Sequence, residues 1–366
     1  MKIKFNKKDF LKAIRIGGCF SSKRTTLPIL CCIKVSITED SCWILSYDDR
    51  NAIKTNFRLE NRYDSIDFCI EKDDIENYVS LLSEDVFELE IDNEKLSAIA
   101  STPYSTMTFP LFNVDEFPAL AVETQSDTFE LDAELFGYWL KKASSFLDTD
   151  EFQLNHEHLH LFIKDKKIDV FAFNFDKMYH DSSFINFEGE LKMSINRSAF
   201  FGLRSALSKE KKVTIKNGEK NILVIGEDTM LLIRKYDFTP HDYYMLLQYK
   251  PLFEVEVSKE RMISIVARAM NVHDNEKMGS LTIFFNENGL TFVSEKPEVK
   301  KRLEETIQVS GAKEFKQTYI LSKLMLALNA ISSDQIVLRP CGTNALFEIG
   351  NTEYTTESSY VSPCRD

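Results

Sequence analysis

The sequence has no apolar run as long as the ~18 residues that a membrane-spanning helix needs. Its opening segment, MKIKFNKKDFLKAIRIGG, also lacks the continuous apolar stretch of a secretory signal peptide. Cysteine occurs only seven times, an odd number, and no two cysteines form a CxxC motif. These absences predict a cytoplasmic protein without a membrane partner, a disulfide framework or a cysteine-based zinc site.

The usual catalytic signatures are missing as well. No Walker loop, GxGxxG, GxSxG or HExxH motif occurs. The acidic pair Asp48 and Asp49 is followed directly by Arg50, so we interpret it as a turn held by ion pairs. The sequence therefore predicts a protein that is not an enzyme and needs no cofactor.

Apolar residues are abundant. Of the 366 residues 43% are hydrophobic, and 28 are phenylalanine, which is ample for a folded core. At about 150 residues per domain, this length predicts two or three domains.

An internal repeat organises the chain. A short strand, a polar turn and an amphipathic helix recur at 2–18, 128–145 and 253–272, and again about halfway through each third at 67–82, 190–207 and 314–331. In the second trio, Asp, Asn or Ser stands at the expected N-cap of each helix. Alternating β patterns such as VTIKNGEKNILVIGE lie between the helices and predict hairpins. We therefore predict an α+β fold of three similar domains, 1–122, 123–248 and 249–366, each with two helices on antiparallel sheets.

Charge is distributed unevenly over this repeat. The helix windows 7–18, 72–82, 132–145, 197–212, 258–272 and 321–331 together carry +8, whereas the whole chain carries −12, which leaves −20 elsewhere. Solvated outer helix faces would explain some of this excess. Its recurrence favours a basic helical face that meets phosphates while the outside stays acidic. The window 72–82, with Asp73 and Asp74, is the exception.

Several segments carry a family resemblance, in order along the chain. They are KRTTLPIL at 23–30, a β-rich stretch ending in SYDDR, TFPLFNVDEFPAL at 108–120, FTPHDYYMLL at 238–247, DNEKMGSLTIFF, ILSKLMLALNAI and the final SPCRD. Together with the threefold repeat, they resemble the bacterial DNA polymerase III beta subunit, the sliding clamp. The resemblance implies the DNA-clamp fold, closed into a ring by two chains around duplex DNA.

Helix dimensions support a dimer independently. Six helices packed ~10 Å apart would leave a hole only ~9 Å wide, whereas twelve would leave ~28 Å. Only the larger hole admits a duplex ~20 Å wide, whose major groove alone is ~12 Å. Such topological binding is independent of base sequence.

The resemblance also implies the partners and places the DNA contacts. Partners are double-stranded DNA, a second copy of the chain, and a replicative polymerase and an ATP-using clamp loader that bind through linear peptides. DNA-binding candidates are Lys12, Arg15, Lys23, Arg24, Arg197, Arg204, Lys209, Lys211, Arg268 and Lys323. Asp73 and Asp74 replace basic residues common in the family, and the loop 148–155 lacks its usual basic and aromatic residues.

A peptide-binding pocket is the second implied site. By position it would use His156, Phe173, Phe175, Asp176, Met178, Pro240, Leu246, Leu346, Tyr360, Val361, Ser362, Pro363 and Arg365. Ordinary strand residues in a core are the alternative interpretation of Phe173 and Phe175. Phe175 replaces a family glycine, and Ser362 and Cys364 replace methionines, so we expect an altered peptide preference.

The implied dimer contact pairs an edge strand with the end of a third-domain helix. The residues concerned are Tyr104, Thr106, Thr108, Met270, Val272 and His273. If this edge is covered instead, the chain is a monomer.

Two other functions stay open. His156, His158 and His160 alternate, so on one strand they would share a face, as in a three-histidine zinc site of a metal-dependent hydrolase. The spacing of ~6.5 to 7 Å between alternate strand residues makes such a site awkward, and a polar strand surface is the preferred interpretation. A clamp-like decoy or scaffold from a mobile element is the other alternative.

Overall fold

The structure is a computed structural model that describes residues 1–22, 25–120, 123, 126–148, 154–274, 276, 278–342, 345–353 and 356–364. The chain divides into two compact units. The first comprises Met1–Gly137 and Ser198–Asp237, and the second comprises Tyr138–Arg197 and Phe238–Asp366.

The first unit is built on one antiparallel sheet of ten strands. These are β1 (Lys2–Asn6), β2 (Cys32–Tyr47), β3 (Asn51–Glu71), β4 (Val86–Asp92), β5 (Ser97–Ser101), β6 (Thr106–Phe112), β7 (Asp127–Asp132), β12 (Lys212–Asn217), β13 (Asn221–Ile225) and β14 (Thr229–Arg234). Their order is β1-β4-β5-β6-β3-β14-β13-β12-β7, and β2 pairs with β3. Since β3 pairs with β14, strands from the predicted segments 1–122 and 123–248 share this sheet.

Helices α1 (Lys7–Gly17), α2 (Lys72–Leu81) and α5 (Phe200–Leu207) belong to the first unit, and the boundary between the units falls inside α3 (Ala133–Ala143). Short 3-10 turns occupy Pro28–Cys31 and Val114–Glu116. The ring of Phe10 from α1 lies 4.8 Å from that of Phe5 and 5.1 Å from that of Phe87 in the core. At the end of α1, a Cβ on Gly17 would lie 2.6 Å from the Ile44 carbonyl oxygen, so the helix approaches β2 as closely as only glycine allows.

The second unit contains two antiparallel sheets. Its strands are β8 (His158–Lys164), β9 (Lys167–Asn174), β10 (Lys177–Phe184), β11 (Leu191–Asn196), β15 (Val255–Ser258), β16 (Ser280–Asn286), β17 (Gly289–Lys296), β18 (Lys301–Ile307), β19 (Phe315–Ile320), β20 (Gln335–Pro340), β21 (Phe347–Asn351) and β22 (Ser358–Val361). One sheet has the order β11-β8-β9-β10-β22-β21-β20-β15, and the other has the order β18-β17-β16-β19. The pairing of β10 with β22 brings strands of the predicted segments 123–248 and 249–366 into one sheet.

The helices of the second unit include two long ones and two short ones. They are α4 (Leu154–Glu157), α6 (Tyr244–Leu247), α7 (Lys259–Val272) and α8 (Leu321–Ala330), with 3-10 turns at Arg197–Ala199, which ends in the first unit, and at Pro297–Val299. Met262, Ile265 and Val266 of α7 are buried in one core with Leu324 and Leu328 of α8. Among the described helices, none combines the length and apolar character of a membrane span. None of the seven cysteines, all of which the structure describes, forms a disulfide.

The predicted strand–helix repeat is present six times, since β1, β3, β7, β11, β15 and β19 each lead into a helix. The window 197–212 was too long, because α5 ends at Leu207 and Lys212 already begins β12. Lys209 and Lys211 therefore follow the helix.

The N-cap prediction for the second trio of helices is wrong, and side chains cap the first trio instead. Asn6, Asp132 and Ser258 accept hydrogen bonds from backbone N–H groups in the first turns of α1, α3 and α7. No side chain caps α2, α5 or α8. In α2 and α8 the last strand residue occupies the cap position, so the expected polar residues Asp73 and Ser322 fall inside the helix.

Candidate nucleic-acid and peptide-binding sites

Five of the DNA-binding candidates lie exposed in the first unit. Lys12 and Arg15 are on α1, Arg204 is on α5, and Lys209 and Lys211 follow α5. The adjacent Lys12 side chain lowers the pKa of Lys209, because two ammonium groups at close range disfavour each other's charge. An anion placed between them would relieve this repulsion, so the pair suits a phosphate contact.

The positive charge of Arg15, also on α1, is partly neutralised by an acidic neighbour. Its Nε lies 3.3 Å from Oε1 of Glu76 on α2. The other carboxylate oxygen of Glu76 is 2.7 Å from Lys72 Nζ. The acidic residues of α2 thus neutralise basic side chains nearby, which reduces the positive charge that this part of the unit presents.

Three candidates of the second unit also have partners. Arg268 of α7 forms a two-point ion pair with Glu305 of β18. Lys323 of α8 lies 2.7 Å from Asp176. Half-buried Arg197 donates a hydrogen bond to a backbone carbonyl, that of Leu147, at 3.4 Å.

Counting charges within helix windows therefore overstated the basic character of the helices. Glu305 lies on a strand and Asp176 lies in a turn, so a count restricted to helices includes neither. Lys23 and Arg24 lie outside the described residues.

The second candidate site is a compact group of apolar side chains in the second unit, called here the aromatic cluster. Its buried members are Phe162, Phe171, Met178, Tyr243 and Tyr360, and its half-buried members are Phe173, Tyr244, Leu246, Leu247 and Leu346. Five of these ten residues were predicted for the peptide pocket. Strand register explains three of them, since Met178 is paired with Phe173 on one side and with Tyr360 on the other.

The other five members were not singled out from the sequence. Tyr243, Tyr244 and Leu247 lie in the segment FTPHDYYMLL that carried the resemblance, which was the available signal. Phe162 and Phe171 come from the adjacent strands β8 and β9.

Phe175 lies at the edge of the aromatic cluster and is 66% exposed. Its ring stands edge-on to that of buried His156, with 4.1 Å between the ring centroids, and 6.5 Å from that of Phe173. Burial lowers the pKa of His156, while Asp148, 4.0 Å away, opposes that change. The geometry is that of an exposed aromatic ring above a neutral imidazole.

The remaining pocket candidates differ in accessibility. Asp176 accepts a hydrogen bond on its backbone carbonyl from Ser362 N–H at 2.8 Å, and Ser362 Oγ donates to the Phe175 carbonyl at 3.1 Å. Pro240 and Pro363 are half-buried. Val361 is fully buried in the core that α7 and α8 share. Arg365 lies outside the described residues.

The three histidines do not form a polar strand surface, so that interpretation was wrong. His156 lies in α4, and β8 begins only at His158. All three are buried, and both faces of β8 are covered, since every residue from His158 to Ile163 is buried.

Hydrogen bonds rather than a metal account for the imidazoles of His158 and His160. Nδ1 of His158 lies 2.6 Å from the Leu154 carbonyl oxygen. His160 Nε2 donates to the Asn155 carbonyl at 3.0 Å, and its Nδ1 lies 2.8 Å from Ser194 Oγ. Burial lowers the pKa of His160 to about 3. In the part of the chain that the structure describes, no group of three or more His, Cys, Asp or Glu side chains is arranged to hold a metal ion.

The dimer candidates fall into an exposed and a buried set. Tyr104 is 89% exposed, and Thr106 and Thr108 are exposed on β6, which pairs with β5 over Thr106–Pro110. In the second unit, Val272 and His273 are buried and Met270 packs against the core. His273 Nε2 lies 3.0 Å from Ser294 Oγ.

Solved structures similar to this chain are bacterial sliding clamps. The DNA polymerase III beta clamp of Pseudomonas aeruginosa bound to griselimycin is 14% identical, with all of both chains covered and a TM-score of 0.93. The DNA polymerase sliding clamp of Bacillus subtilis is 16% identical, with 100% of this chain and 99% of that chain covered and a TM-score of 0.93. The DNA polymerase III beta subunit of Thermotoga maritima is 17% identical, with the same coverage and a TM-score of 0.91.

No family model and no curated protein sequence matches the chain. The structural likeness therefore establishes the fold. The predicted α+β DNA-clamp fold is confirmed over the whole chain.

Proposed function

We propose that this protein is a DNA sliding clamp, a non-enzymatic processivity factor that encircles duplex DNA and tethers a replicative DNA polymerase and other DNA-handling proteins. The observation that carries this proposal is the full-length likeness to solved chains described as sliding clamps or DNA polymerase III beta subunits. Exposed Lys12, Arg204, Lys209 and Lys211 supply sequence-independent phosphate contacts in the first unit. The three segments 1–122, 123–248 and 249–366 are the repeats from which the ring is built.

The functional form in this proposal is a cytoplasmic homodimer without a cofactor. In the described residues β6 pairs with β3 only at Leu111 and Phe112, so beside Thr106 and Thr108 its side away from β5 presents backbone groups that suit continuation of the sheet into a second copy. An ATP-using loader opens the ring, since the sequence has no nucleotide-binding motif of its own.

The peptide site in this proposal is the aromatic cluster with Phe175 at its edge. Half-buried Phe173, Leu246 and Leu346 offer apolar contact area on a support of buried side chains. Such a surface fits a short peptide that inserts apolar anchors.

The test is retention on DNA, after the mass in solution has been measured by light scattering. A clamp of two chains has twice the mass of the 42.3 kDa chain. After loading, it stays on nicked circular DNA and leaves the same DNA once it is linearised. Equal retention on both forms would contradict topological binding. A protein that binds clamp ligands but is never retained on circles would be a decoy or scaffold.

A further inference from the structure

Helix α6 carries part of the proposed peptide surface, but its own sequence does little to stabilise it as a helix. It has only four residues and no side-chain cap. Tyr243, which precedes it, is buried and stacks on Phe171 with 5.4 Å between ring centroids. Leu246 and Leu247 are half-buried against the aromatic cluster. A helix this short is not stable on its own, so tertiary contacts must fix it.

One of those contacts is a hydrogen bond between Tyr244 of α6 and Asp169 of β9. The Tyr244 hydroxyl donates a hydrogen bond to Oδ2 of Asp169 on β9, at 2.9 Å. The other carboxylate oxygen, Oδ1, lies 3.0 Å from His180 Nε2 and 3.0 Å from Lys167 Nζ. Asp169 is only 4% exposed, so these three donors replace its hydration.

The Asp169 carboxylate is charged, and its hydrogen-bond donors stabilise that charge. Burial alone would raise the pKa of Asp169, but the hydrogen bonds from His180, Lys167 and Tyr244 outweigh burial and lower it. The carboxylate is therefore ionised at neutral pH, and its bond to Tyr244 is the stronger, charge-assisted kind. His180 also stacks on Phe171, at 4.8 Å between ring centroids, so its ring is restrained by the cluster as well.

We propose that Asp169 is a positioning residue for the peptide surface, which acts through the Tyr244 hydroxyl to fix α6 and thereby Leu246 and Leu247. This inference rests on the proposed peptide-binding function. A surface whose apolar side chains are already in place loses less conformational freedom when a ligand binds. Asp169 need not touch the ligand, since its effect passes through Tyr244.

Griselimycin, the ligand of the Pseudomonas clamp, serves as the probe, and its affinity is measured by titration calorimetry on the full chain. We compare wild type with Tyr244→Phe, which removes only a hydroxyl, with Asp169→Asn, and with the double variant. Asp181→Asn is the matched control. Asp181 is a second buried carboxylate of the same sheet, but it bonds Trp139 instead of α6. Hydrogen exchange over residues 243–249 reports the mobility of α6.

Tyr244→Phe and Asp169→Asn should each weaken binding by about three- to tenfold and speed exchange in 243–249. When Tyr244 is already replaced by Phe, Asp169→Asn should weaken binding little further. If Asp169 only stabilised the fold, its substitution would weaken binding equally with and without the Tyr244 hydroxyl. The Asp181 control should leave the exchange of α6 unchanged.

Unchanged exchange in both single variants would overturn the inference, and so would fully additive losses of affinity. Faster exchange with unchanged affinity would also overturn it, and would leave the proposed peptide site intact. If wild type itself does not bind the probe, the proposed peptide site fails first and the inference falls with it.

Discussion

Arg268 on α7 and Glu305 on β18 face each other as a two-point ion pair, with Arg268 Nε and Nη2 at 2.5 and 2.7 Å from the two carboxylate oxygens of Glu305. The hydrogen bonds of this pair raise the pKa of Arg268 and lower that of Glu305. Arg268 is one of the residues proposed to contact DNA. A phosphate would have to compete with Glu305 for its guanidinium, so we expect the pair to weaken the proposed DNA contact at this position.

Glu305→Gln should therefore strengthen DNA binding. The affinity for DNA falls as salt rises, and each additional phosphate contact makes the slope of log affinity against log salt steeper by about 0.9. We expect a steepening of that size. Affinity for a fluorescent duplex, measured by anisotropy at several salt concentrations, gives this slope.

Glu304→Gln is the control for that measurement. Glu304 is the next residue on β18, and it pairs with Arg302 instead. If both substitutions change the slope equally, general loss of negative charge explains the result and release of Arg268 does not.

Lys12 and Lys209 should contribute more to DNA binding than the paired basic residues. The mutual repulsion that lowers the pKa of Lys209 disappears when a phosphate lies between the two ammonium groups. Lys12→Gln and Lys209→Gln should each reduce the salt slope by about 0.9 and shorten retention on nicked circles. Lys2→Gln is the control, since Lys2 is exposed on β1 beside Glu88 and Glu90. A slope unchanged in both lysine variants would remove this pair from the DNA surface.

The repeat architecture could be predicted because it depends on local patterns. Apolar residues at helical spacing in α1 and at alternate positions in β4 produce the buried faces that the structure shows. The residues proposed for the peptide site came from the order of the segments that carry the resemblance, and the strand register of the structure places Phe173, Met178 and Tyr360 side by side.

The errors concern interactions between elements that are distant in sequence. The carboxylates that neutralise Arg268 and Lys323 come from a strand and a turn more than thirty residues away. The histidines alternate like a polar strand face, yet both faces of β8 are buried, and Ser194 and backbone carbonyls bond His158 and His160. Such partners are determined by sheet order, which the local pattern does not specify.

Phe175 should restrict the peptide surface. Its exposed ring covers buried His156 and stands beside Phe173, so it occupies space that a bound ligand would use. We expect Phe175→Ala to change the free energy of unfolding by no more than about 0.5 kcal/mol, because the ring is 66% exposed. Affinity for griselimycin should rise about three- to tenfold. Calorimetric titration measures this change.

Phe184→Ala is the matched control for Phe175. Phe184 is 91% exposed at the far end of β10, opposite Lys167. A gain in affinity with Phe184→Ala would indicate a general effect of removing a surface ring. A loss of affinity with Phe175→Ala would show that the ring is a contact and not an obstruction.

His160 should make the protein less stable as the pH falls below neutrality. Its pKa is about 3 in the folded chain because of burial, against 6.5 when it is unperturbed. Between these values the unfolded chain binds one more proton than the folded chain, so this contribution costs about 2 kcal/mol by pH 5 relative to pH 7.5. Denaturant unfolding at pH 7.5 and pH 5.0 measures the loss for wild type and for His160→Gln.

Between pH 7.5 and pH 5.0, the free energy of unfolding of His160→Gln should fall by about 2 kcal/mol less than that of wild type. The variant should be less stable than wild type at pH 7.5, because the substitution disturbs the hydrogen bonds to Ser194 and Asn155. His241→Gln, which replaces an exposed histidine of the same unit, should behave like wild type. An equal loss in wild type and His160→Gln would mean that the folded chain accommodates a protonated imidazole at this buried position. That result would contradict the neutral, hydrogen-bonded His160 on which the interpretation of β8 depends.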